Sequence, residues 1–89
     1  MNEPWDAVRR RREERRRFLE RLYHASEEEG AVYEDGYEIA AELELSRSDA
    51  ERIARYWEDR GFVRNTSGTG LSLRITAQGI DYVEKGEEI

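Results

Sequence analysis

The segment DGYEIAAELELSRSDAERIARYWEDRGFV, residues 35–63, carries the strongest structural signals in the chain. Asp35 stands three residues before Glu38, and Ser46 stands three residues before Asp49. This spacing is typical of a capping box, in which two side chains satisfy free backbone N–H groups at the start of a helix. Two successive helices are therefore predicted.

These two predicted helices lie close together along the chain. The buried side of the first consists of its apolar residues, Ile39, Ala40 and Leu43. Only Glu44 and Leu45 separate it from the next helix, which indicates a tight helix-turn-helix connection that Leu45 closes against the core. The next helix covers residues 47–60, and Gly61 stops it.

A longer helix is predicted upstream, from Trp5 to about Glu29, because Pro4 sits where a first-turn proline is tolerated and nothing later breaks the helix. Its buried stripe consists of apolar residues at helical spacing, Phe18, Leu19, Leu22 and Tyr23. Gly30 ends this helix, and the apolar run Ala31-Val32-Tyr33 predicts one short strand.

The N-terminal part of this helix is different, since residues 9–17 are almost wholly charged. Arginine and glutamate stand four apart at several places, such as Arg9 with Glu13, and each such pair adds about 0.2–0.5 kcal/mol to a helix. Three interpretations fit: a solvated helical extension, an arm that contacts nucleic acid, or an oligomer contact. The candidate contacts of such an arm are Arg9, Arg10, Arg12 and Arg16.

Downstream of the third helix the hydrophobic period changes from 3.6 to 2. A strand beginning at Phe62, a turn-rich segment at 66–70 and an alternating segment at 71–75 predict a hairpin with one buried face. Thr76 caps a last short helix. The buried residues of that helix are Ile80 and Val83. The charged tail at 85–89 is expected to fray.

This order of elements, with three local motifs, resembles the winged helix-turn-helix family and in particular its MarR-type regulators. Residues 39–46, IAAELELS, look like the second helix and turn of the family. Residues 47–63 look like its third helix with the closing "L...G.v", and ITAQGI at 75–80 is similar to the "lT..G" after the wing. The resemblance implies an α+β, mostly α fold with a three-helix core, a short first strand, a β-hairpin wing and a short C-terminal helix.

The chain then divides into a charged helical extension at 1–17, a winged-helix domain at 18–84 and an acidic tail at 85–89. It departs from the family at Ala50 and Trp57, where a larger aliphatic residue and a leucine are usual. We interpret this pair of differences as volume compensation in the core.

Composition limits the functions that the chain can have. Its 89 residues predict one domain, and the formal net charge of -6 argues against a uniformly basic coat. The charge is uneven, because residues 23–46 hold eight acids and no lysine or arginine, whereas residues 1–22 hold eight arginines against five acids. The lack of cysteine excludes disulfides and thiolate sites. No apolar run approaches the ~20 residues of a membrane helix, so a cytoplasmic prokaryotic protein is expected.

The third helix has two contrasting faces. Its apolar residues fall within an arc of about 100°, and the opposite face shows three arginines. The resemblance implies sequence-specific binding of double-stranded DNA by a transcriptional regulator, with helix 47–60 in the major groove and hairpin 62–75 as the wing. The candidate base contacts are Arg47, Ser48 and Glu51. The candidate phosphate contacts are Arg52, Arg55 and Tyr56, and the wing adds Arg64 and Arg74.

Two other interpretations fit the same residues. The arginine face is also typical of a solvated helix whose arginines pair with nearby acids. The competing functional hypothesis is a winged-helix adaptor, whose acidic surface at 27–44 docks onto a basic protein. A DNA-binding protein is expected to show the arginines of the third helix and of the first helix on one positive surface. An adaptor is expected to show them separated or neutralised, with an exposed apolar patch.

Enzyme motifs are not recognisable in this sequence. The lone His24 has no second histidine or cysteine as a metal co-ligand, and the acidic residues at 27–35 lack the spacing of a calcium loop. No phosphate-binding loop or nucleophile motif occurs. We therefore expect a protein without catalysis, metal or cofactor. Regulators of the resembled class usually bind as dimers, so a homodimer through the first helix is expected.

Overall fold

The computed structural model describes residues 4–30 and 32–86, apart from the side chain of Glu29. Within these residues the fold is α+β and mostly helical, with four helices and three short strands. In chain order they are α1 (Pro4–Glu29), β1 (Glu34–Asp35), α2 (Gly36–Glu42), α3 (Arg47–Asp59), β2 (Val63–Asn65), β3 (Ser72–Ile75) and α4 (Ala77–Lys85). The strands make one antiparallel sheet in the order β1-β3-β2.

Helix α1 confirms the predicted first helix and its buried stripe. Its buried side chains are Phe18, Leu19, Leu22 and Ala25. Tyr23 is half-buried, and its hydroxyl donates a hydrogen bond of 2.7 Å to Glu84 on α4. This bond and burial raise the pKa of Tyr23 to about 12, because the charged phenolate would lose the bond and face a carboxylate. The contact fixes α4 against α1.

Both helices of the predicted helix-turn-helix begin at the expected N-cap residues, but α2, whose residues are all described, lacks the reciprocal bond of the capping box predicted for Asp35 and Glu38. The Asp35 carboxylate accepts a hydrogen bond of 2.9 Å from the backbone N–H of Tyr37. At the start of α3, the Ser46 hydroxyl accepts from the Asp49 N–H, and the Asp49 carboxylate accepts from the Ser46 N–H. The capping box predicted for α3 is therefore confirmed. Gly61, at φ 79°, follows the end of the helix.

The turn between α2 and α3 is longer than predicted, with four residues, 43–46, in place of two. The N–H of Leu45 donates to the carbonyl of Ala40 at 2.8 Å, and the N–H of Glu44 donates to that of Ala41 at 3.1 Å. This pair of bonds is a Schellman motif, which requires a left-handed residue after the helix. Glu44 takes that conformation at φ 61°. The chain reversal therefore uses two residues that the sequence pattern assigned to the helices.

The strand predicted at Ala31–Tyr33 is wrong in position. Ala31 lies outside the described residues, and Val32 and Tyr33 are 59% and 47% exposed. The observed strand β1 starts at the next residue and pairs with residues 72–73 of β3. The position of a two-residue strand depends more on the backbone groups of its partner strand than on side-chain propensity. The apolar run at 31–33 has a high strand propensity, and the prediction therefore placed the strand too early.

The predicted hairpin and last helix are confirmed, with strands that begin one residue later, at Val63 and Ser72. The Thr76 hydroxyl accepts a hydrogen bond of 3.1 Å from the Gly79 N–H and caps α4. A Cβ atom at Gly79 would collide with the backbone carbonyl of Phe62, so α4 approaches the hairpin closely. Residues 87–89 of the predicted tail lie outside the described part of the chain.

The core lies between the helices and the inner face of the sheet. Its largest fully buried side chains are Phe18, Leu19, Leu22, Ile53, Leu73 and Val63. Trp57 is 3% exposed and stacks on Phe62 with ring centroids 5.4 Å apart. Ala50 is buried in the same cluster, and Ile80 and Val83 of α4 are half-buried against it. Aromatic stacking and burial thus hold the end of α3 to the hairpin.

Candidate nucleic-acid interface

Helix α3 has one buried and one exposed face, as predicted. The buried residues are Ala50, Ile53, Ala54 and Trp57. The exposed residues include Arg47, Ser48, Glu51, Arg52 and Arg55. The exposed face has two sides, which we name by the elements that they border. We call Glu51, Arg55 and Glu58 the hairpin flank, because they line a groove with the β2–β3 loop. We call Arg52, Tyr56 and Arg60 the α1 flank, because its first two residues contact α1.

Arg47, at the start of α3, packs against α2. Its guanidinium carbon lies 3.8 Å from the centre of the Tyr37 ring, within the range of a cation–π interaction. The Tyr37 hydroxyl donates a hydrogen bond of 2.7 Å to the carboxylate of Glu51. This bond, with burial and the negative charge of Glu51, raises the pKa of Tyr37. Tyr37 therefore orients two of the three candidate base contacts.

Arg52 connects α3 to α1. Its Nη2 lies 2.9 Å from an oxygen of Asp49 and 3.8 Å from an oxygen of Glu14 on α1. The hydrogen bond from Arg52, together with those from Ser46, lowers the pKa of Asp49. Part of the Arg52 charge is therefore neutralised locally, and the arginine-rich half of α1 lies next to the exposed face of α3.

Arg55 differs from the other two candidate arginines of α3. Among the residues that the structure describes, it has no hydrogen-bond, ion-pair or ring partner, whereas Arg47 contacts the Tyr37 ring and Arg52 binds Asp49. It lines a groove of about 250 Å³ between α3 and the β2–β3 loop, together with Glu51 and Glu58. Two carboxylates against one guanidinium make this groove unfavourable for phosphate.

Arg64 and Arg74 lie directly opposite each other on β2 and β3. Both are exposed on the outer face of the sheet, where like charges in direct opposition destabilise the pairing. They line an open groove of about 790 Å³ whose wall includes Glu58. The structure thus brings the two wing candidates together at the base of the hairpin, while its loop at 66–70 carries no charge.

The hairpin loop is organised by its own polar side chains. The Asn65 carbonyl oxygen accepts hydrogen bonds of 3.1 Å from the N–H groups of Ser67 and Ser72. The Ser67 hydroxyl accepts from the N–H groups of Thr69 and Gly70 at 3.2 and 2.8 Å. Backbone N–H groups that have no partner in the β2–β3 strand pairing are therefore hydrogen-bonded by side chains of the loop.

The candidate arginines of the N-terminal arm are all exposed: Arg9, Arg10, Arg12 and Arg16. Arg16 binds both carboxylate oxygens of Glu13 at 2.9 and 3.0 Å, and Arg9 lies 3.8 Å from Asp6. These partners are three residues apart rather than the predicted four. At ~100° per residue, Arg9 and Arg16 lie roughly 100° or more around the helix from the side that faces α3.

Two arginines outside the predicted set lie at the α1 flank. The guanidinium carbon of Arg15 is 4.3 Å from the centre of the Tyr56 ring. Arg60 donates a hydrogen bond of 3.0 Å to the Tyr56 hydroxyl. The four-residue spacing of Arg52, Tyr56 and Arg60 was a visible signal for this row. Arg15 could have been found by extending the buried stripe of α1 one turn backward from Leu19.

The remaining titratable residues that the structure describes form no metal centre. His24 is exposed, and its ring lies 5.3 Å from that of Tyr23. In residues 4–30 and 32–86, no group of three or more His, Asp or Glu side chains is arranged to hold a metal ion. None of the described helices is both long enough and apolar enough to cross a membrane.

Comparison of the chain with family models, curated proteins and solved structures gives no match. Its function therefore has to be inferred from the fold and from the geometry of α3.

Proposed function

We propose that this protein is a MarR-like winged helix-turn-helix protein that binds double-stranded DNA in a sequence-specific manner and regulates transcription. The strand order β1-β3-β2 and the hairpin that follows a helix-turn-helix support the winged-helix arrangement. The observation that carries the proposal is the exposed face of α3, a capped helix that exposes Arg52 and Arg55 away from its buried side and Arg47 at the edge of that face, against Tyr37.

In this proposal α3 enters the major groove with its N-terminal turn first. Arg47 and Ser48 reach base edges, where a guanidinium binds guanine through two hydrogen bonds. Glu51 accepts from a cytosine amine with the oxygen that Tyr37 does not use. Arg52 binds a phosphate, whereas Arg55 lies beside Glu51 and Glu58 and contributes less. Arg64 and Arg74 contribute from the wing.

The contact between Arg15 and Tyr56 places one arginine of α1 beside α3, whereas Arg9 and Arg16 lie on another side of α1 and pair with acids. The acidic excess of the chain resides in residues 23–46, which end before α3 begins. Association with DNA is therefore expected to be one-sided and strongly dependent on salt.

The test replaces Arg47, Arg52 and Arg55 together by alanine. The wild-type protein first selects a duplex from random sequences, and binding to that duplex is measured at several salt concentrations. We expect weaker binding of the triple variant, and a salt dependence less steep by about 0.9 for each phosphate that the variant no longer binds. Arg17→Ala is the control, because Arg17 is an exposed arginine of α1. Unchanged affinity and salt dependence of the triple variant would contradict the proposal.

A second candidate function is a protein-interaction adaptor without DNA binding. It is favoured by the exposed Val32 and Tyr33, which adjoin the acidic residues Glu34 and Asp35. An apolar patch beside acids fits a basic protein partner. The selection described above separates the two functions, because a folded adaptor enriches no duplex.

A homodimer through α1 is part of the proposal. Trp5 is 70% exposed near the start of α1, where a second copy of the helix would bury it. Sedimentation of the wild-type protein and of Trp5→Ser should show a dimer that weakens in the variant. A wild-type monomer at high micromolar concentration would contradict this part.

A further inference from the structure

The α1 flank contains a group of basic and aromatic side chains from two helices. Arg15 lies over the Tyr56 ring at 4.3 Å, and the guanidinium of Arg60 lies 5.8 Å from the centre of the same ring. Arg60 also donates to the Tyr56 hydroxyl at 3.0 Å. Two guanidinium groups therefore share one tyrosine, and Arg52 stands one helical turn before it.

The charges of this group are not compensated by carboxylates. In the described part of the chain, neither Arg15 nor Arg60 has an ion-pair partner, whereas Arg52 is paired with Asp49. Guanidinium groups are weakly hydrated and bind phosphate through two parallel hydrogen bonds. A phosphate that binds Arg15 or Arg60 therefore displaces no carboxylate from either guanidinium.

The position of Arg15 is fixed by its backbone. The indole N–H of the buried Trp57 donates a hydrogen bond of 2.9 Å to the Arg15 carbonyl. Arg15 thus starts next to Tyr56 before any ligand binds. Because the Tyr56 hydroxyl accepts from Arg60, its own hydrogen remains available for a phosphate oxygen.

We infer that Arg15, Tyr56 and Arg60 form a contact site for the phosphodiester backbone of DNA, along the α1 flank rather than the hairpin flank. This inference rests on the proposed DNA binding. The hairpin flank places Glu51 and Glu58 beside Arg55, where a phosphate would meet two carboxylates. The backbone of one strand therefore passes from Arg52 across Tyr56 toward α1.

The experiment compares two double variants that each remove two positive charges, Arg15→Gln with Arg60→Gln and Arg64→Gln with Arg74→Gln. Glutamine keeps most of the aliphatic stem and loses the charge. Binding is measured by fluorescence anisotropy with the duplex selected by the wild-type protein, over a series of salt concentrations. Circular dichroism on each variant checks the fold.

We expect the Arg15/Arg60 variant to bind at least about tenfold more weakly at low salt, with a salt dependence less steep by about 1.8. The Arg64/Arg74 variant should change both quantities less. A variant with lysine at both positions 15 and 60 should keep the wild-type salt dependence and lose part of the affinity, since lysine keeps the charge without the planar fork. If the glutamine variant does not fold, the lysine variant provides the test, and an affinity equal to that of the wild-type protein would contradict the inference.

The outcomes separate the inference from the proposed function. If the wild-type protein binds DNA and the Arg15/Arg60 variant keeps its affinity and salt dependence, the inference is wrong and the proposed function stands. If the wild-type protein selects no duplex, both are wrong. Competition with inorganic phosphate provides one more measurement. If millimolar phosphate displaces the labelled duplex as completely as unlabelled duplex does, the site binds free phosphate and the inference is overturned.

Discussion

The two flanks of α3 differ in charge although both belong to one helix of thirteen residues and its C-cap, Arg60. The hairpin flank has two acids and one arginine, whereas the α1 flank has two arginines and a tyrosine that α1 extends with Arg15. A protein with a formal net charge of -6 thus has a local basic track. The difference shows that net charge alone does not exclude an anionic partner, because the charges must first be assigned to the separate faces of a helix.

The largest expected effect comes from replacing Trp57, the buried residue that joins α3 to α1 beneath the α1 flank. Trp57→Ala removes a side chain that is 3% exposed, together with its stacking on Phe62 and its hydrogen bond to Arg15. We expect a loss of about 3–5 kcal/mol in the free energy of unfolding, measured by urea denaturation. A protein of this size would then be close to unfolded.

Trp57→Phe removes the hydrogen bond with a much smaller loss of buried volume than Trp57→Ala. It keeps most of the aromatic volume and leaves the Arg15 carbonyl without the indole donor. We expect a smaller loss of about 1 kcal/mol. A stability equal to that of the wild-type protein would show that the indole does not hold α1 against α3.

A stabilising change outside both flanks gives a reference for these losses. Glu44 and Gly61 occupy equivalent left-handed positions in Schellman motifs, at φ 61° and 79°. Glycine adopts this conformation without the strain of a Cβ atom. We expect Glu44→Gly to raise the free energy of unfolding by about 1 kcal/mol. Glu44→Ala removes the charge and keeps the strain, so an equal gain in that variant would assign the effect to charge.

A smaller change makes the hairpin flank resemble the α1 flank. Glu58→Gln removes one of the two carboxylates beside Arg55 and leaves Glu51, a proposed base contact, in place. We expect DNA affinity to rise about two- to fivefold at low salt and the gain to vanish near 1 M salt, where screening is almost complete. Glu28→Gln is the matched control, because it removes one charge at the far end of α1. If this control raises affinity equally, the gain reflects net charge and not the flank.

The smallest effects are opposite responses to pH. The pKa of Asp49, beside the α1 flank, is lowered by Arg52 and Ser46, so its stabilisation is present above its ordinary value of 3.8 and is lost as the pH falls. The pKa of Tyr37, bonded to the hairpin flank, is raised above 10.0, so its stabilisation is lost as the pH rises through the folded value. Asp49→Asn should remove the acid loss.

Tyr37→Phe should remove only the alkaline loss that Tyr37 causes. Tyr23 also has a raised pKa and remains in that variant, so the comparison is the difference between the two unfolding curves above pH 10. Identical curves would mean that the bond between Tyr37 and Glu51 contributes nothing to folding.

Local patterns predicted much of the fold. The buried set of α3 follows from a period of 3.6, and the Ser46 cap follows from chemistry within three residues. The strand β1 was misplaced because its position depends on pairing with β3, far along the chain. The predicted α2–α3 turn is too short because the residue in the left-handed conformation is Glu44, and no glycine marks its position in the sequence.

The candidate site was predicted in part. The exposed face of α3 followed from the same period as its buried face. The grouping of Arg15 with Tyr56 and Arg60 did not, because it depends on where α1 crosses α3, and the deciding hydrogen bond joins Trp57 to a carbonyl 42 residues away. Helix crossing is set by packing of many side chains, which no short motif encodes.

The hairpin loop at 66–70 has two glycines and small polar residues, a composition usually associated with flexible linkers. The side chains of Asn65 and Ser67 nevertheless hold its backbone in one conformation. The conformational entropy of this loop is therefore lost during folding and not during association. Whatever surface meets the hairpin encounters a preformed shape, and its association rate should not be limited by ordering of the loop.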